Sequence, residues 1–309
     1  VRSKRPKKQR HKSSDVSANV KISEQKQRYR NSLMFITLQD KHAQPYQAYA
    51  YTGGKAFDAQ KPTVVFIHGV LNDHSVWILQ TRYLAHHGFN VLAVDLPGHC
   101  KSGGDAPASV EEAAQFVAQL LDAAGVQQAA LVGHSWGSLI ALETASQLKE
   151  RITHLALVGT AFPMKVSPML LDASLNDPNK AIEMINVFSR ATLSAPPSAL
   201  GPGTWVYGAA RALNRRVLAS NPKVNVFHRG FKACDDYANG LNAIQAITCP
   251  VLFLLGQQDQ MTTPKAAKSL IDAAKAQGKH FSVVNVPMGH HQMTESPEET
   301  LAALKQFLS

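Results

Sequence analysis

The sequence predicts an α/β protein: a mostly parallel, doubly wound sheet with helices on both faces and a helical segment inserted late in the chain. Three observations carry that prediction. Apolar runs of strand length alternate with stretches of helical pattern, the layout of strands joined by crossover helices. Thr63-Val64-Val65-Phe66-Ile67 is continuously β-branched and apolar, as a strand covered on both faces must be. Ala129 to Ala145 passes from an apolar run through Gly133-His134-Ser135-Trp136-Gly137 into good helix formers.

In chain order, residues 1–30 stand apart. They hold 11 Lys/Arg against Asp15 and Glu24, and so carry +9 of the +10 net charge. With few aliphatics and almost no aromatics, the segment reads as a disordered, solvated arm. Weak attraction to anionic surfaces is its functional alternative, and a start at Met34 is a third reading. Met34 to Leu38 and Tyr46 to Tyr51 read as a first pair of strands, with a turn at Thr52-Gly53-Gly54. After Thr63–Ile67 come a helix over 75–87, a buried strand at Val91–Val94, and a turn-rich loop, Asp95 to Cys100. A helix over 110–124 leads to the strand before Ser135, and a strand at Leu155–Val158 follows.

Alternation then stops. Seven prolines between Phe162 and Ile247 break the pattern, with short helical stretches at 181–190 and 208–217. This segment reads as a helical cap, residues 162–247, inserted into a core of residues 31–161 and 248–309. Alternation resumes with a strand at Val251–Leu255, a helix over 265–276, a strand at Phe281–Val286 and a final helix over 297–307.

Composition narrows the function classes. At 309 residues, 45% hydrophobic and 17% charged, the chain can bury one large core. No apolar run reaches the 18 or so residues of a membrane span, and the basic N-terminus lacks the apolar stretch of a secretory signal. Three widely spaced cysteines make no disulfide framework, which fits a cytoplasmic setting. None of the 13 histidines falls in a metal-binding spacing, so neither metal nor cofactor is expected.

Strand, G-x-S-x-G and helix form a sharp turn that lifts the Ser135 hydroxyl clear of the backbone. Glycines flank it because a Cβ at either position would crowd the neighbouring chain. A serine hydroxyl needs a base to take its proton and a carboxylate to orient that base. In a parallel sheet both belong in loops after late strands. Asp259 follows the strand at Val251–Leu255, and His290 follows the strand at Phe281–Val286. The order Ser135, Asp259, His290 is that of a nucleophile-elbow triad. On the residues alone, Asp259 is also an ordinary turn aspartate before Thr-Pro, and His291 competes with His290.

His68-Gly69, Asp95-Leu96-Pro97-Gly98-His99, Gly133 to Gly137, the Asp259 loop and Gly289-His290 with Glu295-Ser296-Pro297-Glu298 together resemble the α/β-hydrolase superfamily, in its capped, esterase-like branch. The likeness runs from about Phe35 to the C-terminus. The resemblance implies His290 over His291 as the base, since in the family the catalytic histidine follows that glycine, with Glu five residues on. It implies an oxyanion hole from the backbone N–H groups of Val70 and Trp136. His68 then orients the loop and is not a base. Cys100 departs from the family, which usually has a small residue there. Trp136 after the nucleophile is similar to proline iminopeptidases and haloalkane dehalogenases. The dehalogenases and epoxide hydrolases use an aspartate nucleophile, so Ser135 argues against both.

The resemblance also places substrate between cap and sheet, where Phe162, Met164, Trp205 and Phe231 are candidate pocket residues, as are Met169 and Phe227. The expected function is a cofactor-free serine hydrolase cleaving a carboxylic ester or thioester of a small-molecule acyl substrate. The alternatives are amide, iminopeptide or C–C hydrolysis or acyl transfer on the same triad. Of another class is a non-catalytic ligand-binding protein on the same fold.

Overall fold

The computed structural model describes residues 33–58, 60–191 and 206–309. The basic segment 1–30 and Trp205 lie outside the described residues. Eight strands form one sheet in the order β1-β2-β4-β3-β5-β6-β7-β8. They are β1 (Leu33–Gln39), β2 (Pro45–Tyr51), β3 (Thr63–Ile67), β4 (Asn90–Val94), β5 (Ala129–His134), β6 (Ile152–Val158), β7 (Val251–Gly256) and β8 (Phe281–Val286). Only the β1–β2 and β2–β4 pairs are antiparallel; the six strands from β4 to β8 run parallel.

β3 is buried along its whole length, as its unbroken apolar run requires. Its alternate residues serve opposite faces. Val65 and Ile67 join the apolar layer that includes Leu131, Leu155 and Phe253. Val64 and Phe66 join the other, with Val132, Val158 and Leu254. β8 ends the sheet and is largely exposed.

The helices outside the insertion are α1 (Ile78–Ala85), α2 (Val110–Ala123), α3 (Trp136–Leu148), α9 (Lys268–Ala276), the four-residue α10 (Gln292–Glu295) and α11 (Pro297–Leu308). The start of α2 is set by its cap: Ser109 Oγ accepts from the Glu112 N–H at 3.2 Å, and Glu112 Oε2 accepts from the Ala108 N–H at 2.7 Å. The helix expected over 75–87 is split. His74–Trp77 is a 3-10 turn capped by Asp73, and α1 begins only at Ile78.

Among the described residues between β6 and β7 stand five helices, α4 (Pro168–Asn176), α5 (Pro178–Phe188), α6 (Val206–Ala219), α7 (Val226–Asp236) and α8 (Gly240–Ala246). Two of the prolines that break the sequence pattern begin helices here, since the first turn needs no N–H from them. Leu170, Ile182, Val217, Phe227 and Phe231 of α4 to α7 form an apolar cluster that also takes in Leu71 and Ala106 from the core loops. α8 packs instead on α3 and α9, beside the sheet. Among the described residues no helix is long and apolar enough to cross a membrane. Cys100, Cys234 and Cys249 are free thiols.

Candidate active site

Ser135 sits between β5 and α3 with φ +53° and ψ −121°, a left-handed conformation for a residue bearing a Cβ. The glycines beside it are obligatory. A Cβ on Gly133 would stand 2.0 Å from the Gly137 carbonyl oxygen, and one on Gly137 would stand 2.4 Å from that of Ile67. The Ser135 N–H donates to Val158 at 2.9 Å, tying the turn to β6. Its position before α3 also puts it at the positive end of a 13-residue helix.

β7 and β8 deliver the two other groups. Asp259 and His290 lie in the loops after them, and Asp259 Oδ2 accepts from His290 Nδ1 at 2.8 Å. Both side chains are buried. Asp259 Oδ1 accepts the N–H groups of Met261 and Thr262, each at 2.8 Å. Thr262 Oγ1 lies 2.8 Å from both Asp259 Oδ2 and the Gly159 carbonyl, and 3.0 Å from His290 Nδ1. Burial pushes the Asp259 carboxyl up, but the facing His290 and the Thr262 donors outweigh it, so the group stays below the usual carboxylate range.

His291 is placed differently. Its N–H donates to Glu295 Oε1 at 3.0 Å, and its ring stands 5.4 Å from that of His134. Burial first, then Arg190, keeps its imidazole neutral, well below the usual histidine range.

The loop after β3 lies directly over the elbow. A Cβ on Gly69 would come within 3.1 Å of Ser135 Cβ. Val70 follows Gly69 and borders the same cavities as Ser135, while Trp136 opens α3. His68 holds this loop with both ring nitrogens. Nε2 accepts from the Leu96 N–H at 3.1 Å, so Nδ1 carries the proton and donates to the Gly69 carbonyl at 2.8 Å. Burial keeps it neutral.

Two residues without a sequence signal also belong here. Thr262 braces the Asp259–His290 pair, in a loop that reads only as a turn. His134 fills the variable position before Ser135. Its Nε2 donates to the His290 carbonyl at 2.8 Å, and burial drops its pKa to about 3.

Of the pocket candidates, Met164 and Phe231 line a cavity of about 240 Å³ beside Ser135. Phe162 does not line it. Its ring covers Gly240, where a Cβ would lie 2.4 Å from Phe162 Cδ2, and packs edge-on against Tyr237. Phe227 is part of the insertion's apolar cluster, and Met169 is exposed. Among the described residues, one group has donors placed for a cation: Asp73, His74 and Asp95, within 4.8 Å of one another. Those donors already have partners. His74 Nδ1 donates to Asp95 Oδ1 at 2.7 Å, and Asp73 binds Ser75 and Arg216.

Comparison with known proteins agrees with this architecture. The family model described as alpha/beta hydrolase fold matches residues 62–297. The chain belongs to that family. Its relatives and structural neighbours include hydrolases and esterases. Over 112 residues, 36% of this chain, it is 38% identical to the dihydrolipoyllysine-residue acetyltransferase component of the acetoin cleaving system of Cupriavidus necator. Over 116 residues, 35% of this chain, it is 34% identical to bifunctional epoxide hydrolase 2 of Sus scrofa. The chain spans only 28% and 20% of the lengths of those two relatives. In fold it is similar to an esterase from Exiguobacterium antarcticum, with a TM-score of 0.72 at 17% identity, covering 89% of this chain and 99% of the esterase.

Proposed function

We propose that this hydrolase cleaves a carboxylic ester or thioester through an acyl-enzyme on Ser135. The observation that carries the reading is the 2.8 Å bond from His290 Nδ1 to buried Asp259, with Ser135 and His290 bordering one cavity. A histidine whose Nδ1–H is held by a carboxylate presents Nε2 as the free base. Ser135 Oγ attacks the carbonyl carbon as His290 takes its proton. The negative oxygen that develops faces the N–H groups of Val70 and Trp136 and the amino end of α3. His290 then protonates the leaving oxygen or sulfur. Water, activated by the same histidine, cleaves the acyl-enzyme. Asp259 keeps the imidazole in the productive tautomer throughout.

A serine at the elbow supports acyl chemistry over an alkyl-enzyme route, which needs a carboxylate there. The insertion formed by α4 to α7 acts as a cap over the site.

The test uses a fluorophosphonate probe and a panel of esters, thioesters and anilides. Wild type should be labelled once and should turn over esters and thioesters well above anilides. Ser135→Ala should lose both label and turnover. Undiminished labelling or turnover in that variant would remove Ser135 from the reaction.

A further inference from the structure

Among the described residues, Ser135 borders two cavities of different size and chemistry. The larger, about 240 Å³, is walled mainly by apolar side chains: Met164, Val166, Leu170, Phe188, Phe231 and Met261. The smaller, about 30 Å³, brings polar side chains, Asn72, Asn186, Ser189, Asn214, His134 and His290, beside apolar Val70, Ile185, Phe231 and Met261. Val70, Phe231 and Met261 border both, so the two spaces meet at the nucleophile.

Chemistry decides which space takes which half of an ester. The leaving oxygen must be within reach of the histidine that protonates it. His290 borders the small cavity and not the large one. The alcohol therefore departs on the small, more polar side, and the acyl group lies on the larger, more apolar side. The acyl side thus has about eight times the room of the alcohol side. The alcohol side is also rigid. Asn186 Nδ2 donates to Asn214 Oδ1 at 2.9 Å, and Asn214 Nδ2 donates to the Leu71 carbonyl at 2.9 Å. Asn72 Oδ1 is buried there with no hydrogen-bond partner.

We propose that the substrate class is the ester of a medium-length apolar acid with a small alcohol. This rests on the acyl-enzyme reading above. In the step that fixes the preference, the Ser135 Oγ–acyl bond forms and the acyl–oxygen bond breaks. The alcohol leaves with the proton that His290 took from Ser135, so no other reactant is needed.

Two substrate series test it on the wild-type protein. Across methyl esters from acetate to dodecanoate, kcat/KM should rise roughly three- to fourfold per methylene while the chain stays within the cavity, as buried methylenes do, and level off beyond it. Across methyl, butyl and benzyl octanoate it should fall with each larger alcohol. Leu170→Trp and Phe231→Trp, which narrow the apolar cavity, should each lower the ratio of octanoate to acetate turnover by on the order of tenfold. The ratio is independent of how much of a variant folds. A flat acyl series, a maximum at acetate, or preference for the larger alcohols would overturn the assignment while leaving Ser135 labelling and ester turnover intact. Loss of labelling and of all ester turnover would overturn the acyl-enzyme reading, and this assignment with it.

Discussion

The backbone N–H of His290 donates to the carbonyl oxygen of Ser189 at 2.8 Å. The loop that carries the proposed base is thus bonded to the segment leaving α5, outside the sheet. Glu295 doubles the link, because Oε1 accepts from His291 at 3.0 Å and Oε2 accepts from Ala191 at 2.9 Å. Gly289 makes the approach possible, as a Cβ there would meet the Ala191 nitrogen at 2.6 Å. Glu295→Ala leaves two N–H groups without their acceptor, at about 1–3 kcal/mol each if they stay dry. Thermal unfolding should register that loss, and kcat should fall more than KM rises. Glu295→Gln, which keeps one acceptor oxygen, should lie between. Unchanged kcat in both variants would show that the link does not position His290.

His290→Ala should be nearly as damaging to turnover as Ser135→Ala, by about 10⁴-fold or more, since triad members act as a unit. His291→Ala should be mild by comparison, because only His290 is bonded to Asp259. Kinetics with a saturating ester would decide it, and equal damage from the two histidine changes would overturn the assignment.

Gly133→Ala and Gly137→Ala should fail to fold stably. Each introduces a methyl within 2.0 Å and 2.4 Å, respectively, of a backbone carbonyl oxygen that cannot yield without breaking the elbow. Soluble yield and near-UV circular dichroism would show it. Ser135→Ala, at the same turn, should keep wild-type stability to within about 1 kcal/mol.

Acid should destabilise the fold well before its carboxylates titrate. Burial is the main reason the pKa of His134 drops to about 3 and that of His99 to about 4. Between those values and the ordinary 6.5 the unfolded chain binds protons that the folded chain refuses. The stability they contribute is whole above about pH 6.5 and is lost as pH falls toward 4 and 3. Each costs about 1.4 kcal/mol per pH unit in that window. Urea unfolding at pH 7.5 and 5.5 should show a drop of a few kcal/mol, and His99→Asn should shrink it. Asp259, held below the usual carboxylate range, adds its own loss only at lower pH.

Deleting residues 1–30 should leave kcat and KM for a small ester nearly unchanged, because every group proposed for catalysis lies beyond Val65. The deletion removes +9 of the +10 net charge. Heparin retention at low salt should vanish with it. A large loss of turnover would instead put the segment at the active site.

The sheet and elbow were legible in the residues because each leaves a local mark. β-branched runs mark buried strands, and Gly133 and Gly137 mark a turn with no room for a Cβ. β8 was read to the residue despite its exposed position. The insertion was less legible. Its described helices are short, each begins or ends within a few residues of proline, glycine or asparagine, and α4 and α8 left no clear period, whereas the amphipathic pattern of α7 was there to be read. The Asp259–His290 pair could be placed after its strands from chain order. Thr262 and His134 could not, because a brace acts through space and leaves no spacing in sequence. Phe162 misled for the same reason: an aromatic after a strand looks like a pocket wall, yet its partners, Tyr237 and Gly240, lie some 75 residues on.

That contact has a consequence for how such a chain can change over evolutionary time. Phe162, where the chain leaves the sheet, touches Gly240, where α8 begins the return. Tyr237, just before it, donates its hydroxyl to Glu143 on α3 at 2.7 Å. The described helices α4 to α7 therefore leave and rejoin the core through a narrow stem, and the stem is anchored to α3. Recombination that exchanges one such stretch for another must preserve both the stem and the bonds from Ser189 and Ala191 to the loop that carries His290. A chain built this way can change what its cavity accepts in a single genetic event, provided the incoming stretch brings partners for the His290 loop with it.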